Sequence, residues 1–111
     1  ITDGALIIQR KGQQLKLTDE SIELVHKEGI VHITDQALTL QHKGQQIELT
    51  DSHIQIVGKS KERIAMTSDH IEVQYGKERV RLSNKGVDVQ ASTFTVNANK
   101  IKLKGKTEIT S

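Results

Sequence analysis

Apolar residues spaced two apart recur along this chain at an interval of 16 residues. Six units can be aligned, and they begin at Thr2, Thr18, Thr34, Thr50, Thr67 and Ser83. Each has apolar residues at its fifth, seventh, fourteenth and sixteenth positions, once one additional residue in the fourth unit is allowed for. A spacing of two is the period of a β-strand, whereas a helix needs spacings of three and four. Each unit therefore predicts two short strands, and no helical pattern interrupts them. The chain is predicted to be all-β.

The segments between the predicted strands have the composition of turns. QRKGQ, QHKGQ and QYGKE separate the two strands of a unit, and glycine supplies turn conformations that other residues avoid. Thr-Asp, Thr-Ser-Asp or Ser-Asn separates one unit from the next, where Asp and Asn can bond to the backbone two residues on. Asp19, Asp35 and Asp51 recur once per unit, which marks them as turn formers. One additional residue between Gly58 and Arg63 predicts a bulge or a longer turn.

The apolar positions of all units are predicted to share one face of the sheet, since residues two apart on a strand point the same way. The residues between them are mostly polar, as at Glu23, Thr39, Glu72 and Arg81, so the opposite face is predicted to be solvated. The predicted apolar face comprises Leu6, Ile8, Leu15, Leu17, Ile22, Leu24, Val31, Ile33, Leu38, Leu40, Ile47, Leu49, Ile54, Ile56, Ile64, Met66, Ile71, Val73, Val80, Leu82, Val87, Val89, Val96 and Ala98.

The composition limits how this face can be covered. Only 34% of the residues are apolar, with one Tyr, one Phe and no Trp, whereas a compact single-chain core normally uses large rings. A one-layer ribbon lacks the second layer on which a stable domain packs. Three ribbons closing a triangular prism would supply it, so we predict a homotrimeric triple-stranded β-helix built from 16-residue two-strand repeats. The alternative is a monomeric solenoid or barrel that buries its own centre.

A rod of roughly 13 strands at a spacing of about 4.8 Å would be about 60 Å long. Such a rod needs no chemical site, and the sequence indicates none. Acidic residues recur once per unit, whereas an active site is usually unique. No cysteine is present for disulfides or thiolate metal sites. Basic and acidic residues are interleaved and stacking aromatics are scarce, which argues against nucleic-acid binding. We therefore predict no catalytic residue, no cofactor and no metal ligand among the histidines, His26, His32, His42, His53 and His70.

The paired strands and the closing stretch FTVNANKIKLKGKTEITS resemble the C-terminal β-helix of central spike proteins in contractile injection systems. These include the baseplate V-type spikes of phages and the VgrG proteins of type VI secretion systems. The resemblance implies a mechanical, membrane-piercing trimer rather than an enzyme. Spikes of this family often end in an iron-binding His-x-His tip, and no His-x-His occurs here.

On this resemblance, residues 1–111 are expected to be a single spike domain from a longer protein. Its expected partners are two further copies, a tail tube or hub joined through an absent N-terminal domain, a tip protein and, transiently, the target's outer membrane. It is expected in the virion tail or a secreted injection apparatus, and to act outside the cell. The alternative is the trimeric shaft of a phage tail fibre or tailspike that serves receptor binding.

Four lysines alternate with other residues near the end of the chain, at Lys100, Lys102, Lys104 and Lys106. The alternation predicts that they share the outer face of a strand. In a trimer they would be repeated three times, which suggests contact with anionic lipid headgroups. The alternative is a solvated lysine face that prevents pairing with other sheets.

Overall fold

The structure is a computed structural model and describes residues 4–111. Over this range the chain has no helix and forms one sheet of 11 strands, arranged in chain order. The strands are β1 (Ala5–Arg10), β2 (Gln13–Thr18), β3 (Ser21–His26), β4 (Gly29–Thr34), β5 (Ala37–His42), β6 (Gln45–Thr50), β7 (His53–Val57), β8 (Glu62–Thr67), β9 (His70–Tyr75), β10 (Glu78–Ser83) and β11 (Gly86–Gln90). The all-β prediction is confirmed.

Every strand pairs antiparallel with the next along the chain, so the sheet is a simple meander. Most connections are two-residue turns. In the turn between β5 and β6, Lys43 and Gly44 have φ of 48° and 82°, a geometry that matches the twist of the strands they join. The turn between β7 and β8 has four residues and is closed by a 3.0 Å bond from the Gly58 N–H to the Glu62 carbonyl. The additional residue of the fourth unit therefore lies in a longer turn, one of the two predicted outcomes.

Threonine, rather than aspartate, makes the hydrogen bonds in the turns at the other edge of the sheet. The Oγ1 of Thr50 accepts the N–H groups of Ser52 and His53, at 3.2 and 3.1 Å. Thr18, Thr34 and Thr67 bond in the same way to the N–H groups two and three residues on. The aspartate side chains were predicted to bond to the backbone N–H groups of these turns. That prediction is wrong, because the threonine hydroxyl oxygens accept those N–H groups instead. Thr2 and Asp3, the first predicted turn pair, lie outside the described residues.

The register places the apolar residues in two parallel columns across the sheet. Ile8 lies opposite Leu15, and Leu15 lies opposite Leu24. Leu6 lies opposite Leu17, which in turn lies opposite Ile22. The pattern continues without a break to Val87 and Val89 in β11, so that every strand contributes two residues to this face. We call these two columns the aliphatic face and the opposite side of the sheet the polar face.

The most buried residues lie on the polar face, which was expected to be solvated. Among residues 4–111, only Ala65 and Glu72 are less than one-tenth exposed, at 2% and 4%. They lie opposite each other in β8 and β9. The expectation of a solvated Glu72 is therefore wrong. It failed because Arg63, Arg79 and Arg81 from the two neighbouring strands lie around the Glu72 carboxylate.

The chain has no strand after Gln90 in the structure. Val96 and Ala98 were predicted on a strand of the sixth unit, and Lys100–Lys106 on a further one, but residues 91–111 are all exposed and lie outside the sheet. Ser92 is bonded through its N–H to the Glu78 carboxylate at 2.8 Å, and beyond it no hairpin turn brings the chain back onto β11. The rod thus has 11 strands rather than about 13, and its longest dimension, tail included, is 67 Å.

Candidate self-association surface

The aliphatic face is the candidate functional surface, because it is extensive, apolar and uncovered. Ile8 is 58% exposed, and Ile22, Leu40 and Ile64 near the middle of the sheet are 41%, 38% and 42% exposed. If the 22 side chains in the two columns each expose on the order of 50 Å², the face presents on the order of 1,000 Å² of apolar surface. The largest apolar patch of a typical monomer is about 300–600 Å². The aliphatic face therefore has the size of a protein interface, which is about 800 Å² per partner.

Strands β2 to β10 are paired on both sides within the sheet, so along most of its length the face lacks only a covering layer. The strands are short, with five or six residues each, and the described chain extends over 67 × 27 × 24 Å. Burying on the order of 1,000 Å² yields at most about 25 kcal/mol per chain. Association itself costs about 4–15 kcal/mol. The apolar area is therefore large enough for its burial to outweigh the cost of association.

An ionic cluster on the polar face links four neighbouring strands. The carboxylate of Glu72 in β9 accepts a 2.8 Å hydrogen bond from Nε of Arg81 in β10, and Nη2 of Arg81 lies 2.6 Å away. Nη1 of Arg63 in β8 lies 3.6 Å from the same carboxylate, and Nη1 of Arg79 lies 4.0 Å from it. Arg79 also reaches Asp88 in β11 at 3.7 Å. The cluster thus ties β8, β9, β10 and β11 together on the side away from the aliphatic face.

The cluster also sets the protonation of its central carboxyl group. The hydrogen bond from Arg81 lowers the pKa of Glu72 below its ordinary value of 4.5, burial acts in the opposite direction, and the charges of Arg81, Arg79 and Arg63 lower it further. The net direction is downward, because three guanidinium groups surround one carboxylate. Glu72 is therefore ionised at neutral pH, and the cluster is a stable structural element rather than a proton donor.

His26 and His42 end β3 and β5 beside the aliphatic face, two residues after Leu24 and Leu40, whereas the other three histidines lie on the polar face. His32 lies on the polar face between Glu23 and Thr39. Nε2 of His53 lies 2.7 Å from Oε1 of Glu48. Within residues 4–111, no group of three or more His, Cys, Asp or Glu side chains is arranged to hold a metal ion.

Two predicted groups of residues are placed differently from the rest. Val96 and Ala98 do not join the aliphatic columns, since they follow the last strand. Lys100, Lys102, Lys104 and Lys106 are exposed but share no sheet face, so the predicted contact with lipid headgroups stays a prediction.

The arginine cluster was missed because it is assembled across strands. Arg63, Glu72 and Arg81 are nine residues apart along the chain, and only the register brings them together. Nine residues is about one hairpin, so charges of opposite sign at that spacing were the available signal. The polar face also carries apolar pairs, such as Val25 opposite Ile30, which the alternation had not assigned to any surface.

Comparison with protein-family models, with curated proteins and with solved structures found no match to this chain. The fold and its surfaces are therefore the basis for any functional assignment. No helix long and apolar enough to cross a membrane occurs in the part of the chain that the structure describes.

Proposed function

We propose that this chain is the shaft of a membrane-piercing needle in a contractile phage tail or a related injection machine. In this proposal three copies form a homotrimeric triple-stranded β-helix, a triangular prism in which each sheet is one wall. The 16-residue two-strand repeats supply successive levels of the prism. The needle acts mechanically, so it needs no catalytic residue and no cofactor.

The observation that carries the proposal is the uncovered aliphatic face of a long, one-layer sheet. Three such sheets facing a common axis would bury Leu40, Ile56 and their column neighbours against the same residues of the other copies. Aliphatic side chains without aromatics suit the narrow interior of such a prism. The continuous ladder of ten antiparallel strand pairs would give the walls stiffness along their length.

The C-terminal segment supports the same assembly. Residues 91–111 keep the alternation of apolar and polar side chains, yet pair with no strand of their own chain in the structure. Extended backbone needs hydrogen-bond partners, which water supplies to a lone chain and neighbouring copies supply in an oligomer. In the trimer we propose that these segments pair with one another, with a tip protein beyond them and a tail tube or hub at the opposite end.

Immunogold electron microscopy tests the functional assignment. Antibody raised against the purified chain is applied to contractile particles from the organism that encodes it, with particles lacking the encoding gene as the control. The proposal predicts gold at the distal end of the tail tube, where a needle meets the target's outer membrane. Gold along peripheral fibres would contradict it and would identify the chain as the shaft of a receptor-binding fibre.

A further inference from the structure

The two long edges of the sheet carry opposite charges. One edge, which we call the lysine edge, contains the turn after each odd-numbered strand from β1 to β9. Its lysines are Lys11, Lys27, Lys43, Lys59, Lys61 and Lys77. The acidic edge contains the alternate turns, and its acidic residues are Asp19, Glu20, Asp35, Asp51 and Asp69. Glu28 on the lysine edge and Lys85 on the acidic edge are the exceptions. Charges interleaved in the sequence are thus separated by the fold.

These charges are not neutralised within the chain. All eleven are exposed, and none forms an ion pair with another residue of the 4–111 range. The edges are separated by strands of five or six residues, roughly 20 Å, which exceeds the Debye length of about 8 Å at physiological salt. Each edge is therefore a row of mostly like charges that form no ion pair within the described residues.

The hydrogen bonds and backbone conformations of the turns do not explain why charged residues occupy them. The hydrogen bonds in the acidic-edge turns come from Thr18, Thr34, Thr50 and Thr67, which leaves the aspartate side chains free of any turn contact in the described structure. On the lysine edge, Lys27 and Lys43 adopt φ of 52° and 48°, a region where side chains other than Gly, Asn and Asp are disfavoured. Lysine is thus present at two turn positions that its own backbone preference does not favour.

The two rows match in height along the sheet. Lys27 and Glu20 flank the same strand, β3, and so lie at one level. Lys43 flanks β5, while Asp35 and Asp51 flank β4 and β6 on either side of it. Adjacent strands are about 4.8 Å apart, so a lysine side chain spans this difference in height.

The ends of the sheet follow the same rule. Lys11 follows β1 and Asp19 follows β2; Lys77 precedes β10 and Asp69 precedes β9. In each pair the lysine and the aspartate lie one strand apart. If two copies stood side by side in the same direction without a shift, opposite charges would face each other along most of their length.

We propose that the lysine edge of one copy pairs with the acidic edge of the next copy, and that this pairing sets the direction in which copies assemble. The inference rests on the proposed self-association and adds the relative orientation of the associated copies. Rotation about the long axis of the sheet brings unlike edges together around the whole ring. A twofold axis perpendicular to the long axis brings lysine edge against lysine edge and acidic edge against acidic edge. The charges therefore favour a parallel, cyclic assembly and oppose an antiparallel one.

Charge reversal tests this pairing with full-length chains. The lysine-edge variant carries Lys11→Glu, Lys27→Glu, Lys43→Glu and Lys77→Glu. The acidic-edge variant carries Asp19→Lys, Asp35→Lys, Asp51→Lys and Asp69→Lys. Each variant should assemble at least about 10-fold more weakly than the wild type at low salt, because like charges then line both members of every edge contact. A variant with all eight changes should recover assembly, and this recovery also shows that the substitutions permit folding.

Mixing gives the decisive outcome. The eight-fold variant, labelled with heavy nitrogen, is unfolded together with the wild type, refolded and examined by native mass spectrometry. We expect each to assemble with its own kind, since every mixed contact joins like charges. A random distribution of mixed species would overturn edge pairing.

The two single-edge variants also control for net charge, because four charge reversals lower the total charge in the lysine-edge variant and raise it by the same amount in the acidic-edge variant. Both should weaken assembly to a similar extent, since each places like charges along the edge contacts. Weakening by only one of the two would overturn edge pairing in favour of a general charge effect. A single-chain mass for the wild type would overturn both the proposed function and the edge pairing. A multi-chain wild type with indifferent edge variants would overturn the edge pairing alone.

Discussion

Replacing Leu40 by aspartate separates association from folding of the single sheet. Leu40 lies in the middle of the aliphatic face and is 38% exposed, so association has about two-fifths of its surface left to bury. Complete burial of a leucine contributes about 1.5–3 kcal/mol, which leaves roughly 1 kcal/mol per copy to be gained on assembly. Aspartate forfeits this gain and places a carboxylate from each copy in the apolar interior, where an unpaired charge costs about 3–5 kcal/mol.

Protonation of the introduced carboxyl groups reduces this penalty, so we take about 5 kcal/mol per trimer as the lower bound. That energy corresponds to a factor of roughly 4,000 in the dissociation constant. Sedimentation equilibrium over a range of chain concentrations measures it. The matched control is Gln41→Asp, since Gln41 is the next residue of β5 and points to the other face, where its amide donates a 3.0 Å hydrogen bond to Gln46.

Loss of that hydrogen bond should cost about 1 kcal/mol or less in folding and leave association unchanged. Equal dissociation constants for Leu40→Asp and the wild type would refute the assignment of the aliphatic face to the assembly interior. Equal weakening by Leu40→Asp and Gln41→Asp would refute it as well, since the effect would then come from adding an acid to β5.

Three further predictions concern the polar face and the turns, and all are checked by urea unfolding at fixed chain concentration. Glu72→Gln should lower the free energy of unfolding by about 1–3 kcal/mol at pH 7, because it leaves three arginines around a neutral amide. The control Asp88→Asn changes a carboxylate that is 65% exposed and should lower the free energy of unfolding by less than about 0.5 kcal/mol. Equal losses would show that the cluster is not centred on Glu72. The pKa of Glu72 is lowered on folding, so its contribution is complete above its ordinary pKa of 4.5 and is lost as the pH falls through the lowered value. The difference between Glu72→Gln and the wild type should therefore shrink as the pH is lowered below 4.5, and a difference independent of pH would contradict the direction of the shift. Thr50→Val should lower the free energy of unfolding by about 1 kcal/mol, because it removes the acceptor for two turn N–H groups. Asp51→Ala should lower it by less than about 0.5 kcal/mol. The reverse order would identify the aspartate as the turn-forming side chain.

The aliphatic face was predictable because its signal is local and repeated. Residues two apart on a strand share a face, so Leu38 and Leu40 are assigned without any knowledge of the neighbouring strands. The hairpin turns are equally local, since Gly12, Gly44 and Gly76 occupy turn positions with positive φ. These features therefore followed from the sequence alone, together with the absence of helices.

The polar face was not predictable in the same way, because its contacts depend on register across strands. Glu72 is buried by Arg63, Arg79 and Arg81, which come from its two neighbouring strands. The charged edges were hidden for the same reason. Lysines and aspartates alternate along the chain, and their separation emerges only when successive hairpin turns fall on opposite edges.

The position of the last strand could not be predicted from the alternation of apolar and polar residues either. Phe94, Val96 and Ala98 continue the spacing of two, which predicts a strand but names no partner for it. In the structure no strand of the same chain pairs with them. Alternation indicates that a segment is extended, whereas pairing depends on which backbone is within reach.

The mass of the purified wild-type chain in dilute solution is the most direct test of the view that the aliphatic face is covered only by other copies. Light scattering coupled to gel filtration provides it without reference to shape, which matters for an elongated molecule. We predict a single species of about 37 kDa, three times the 12.4 kDa of one chain. A folded species of 12.4 kDa at micromolar concentration would contradict that view.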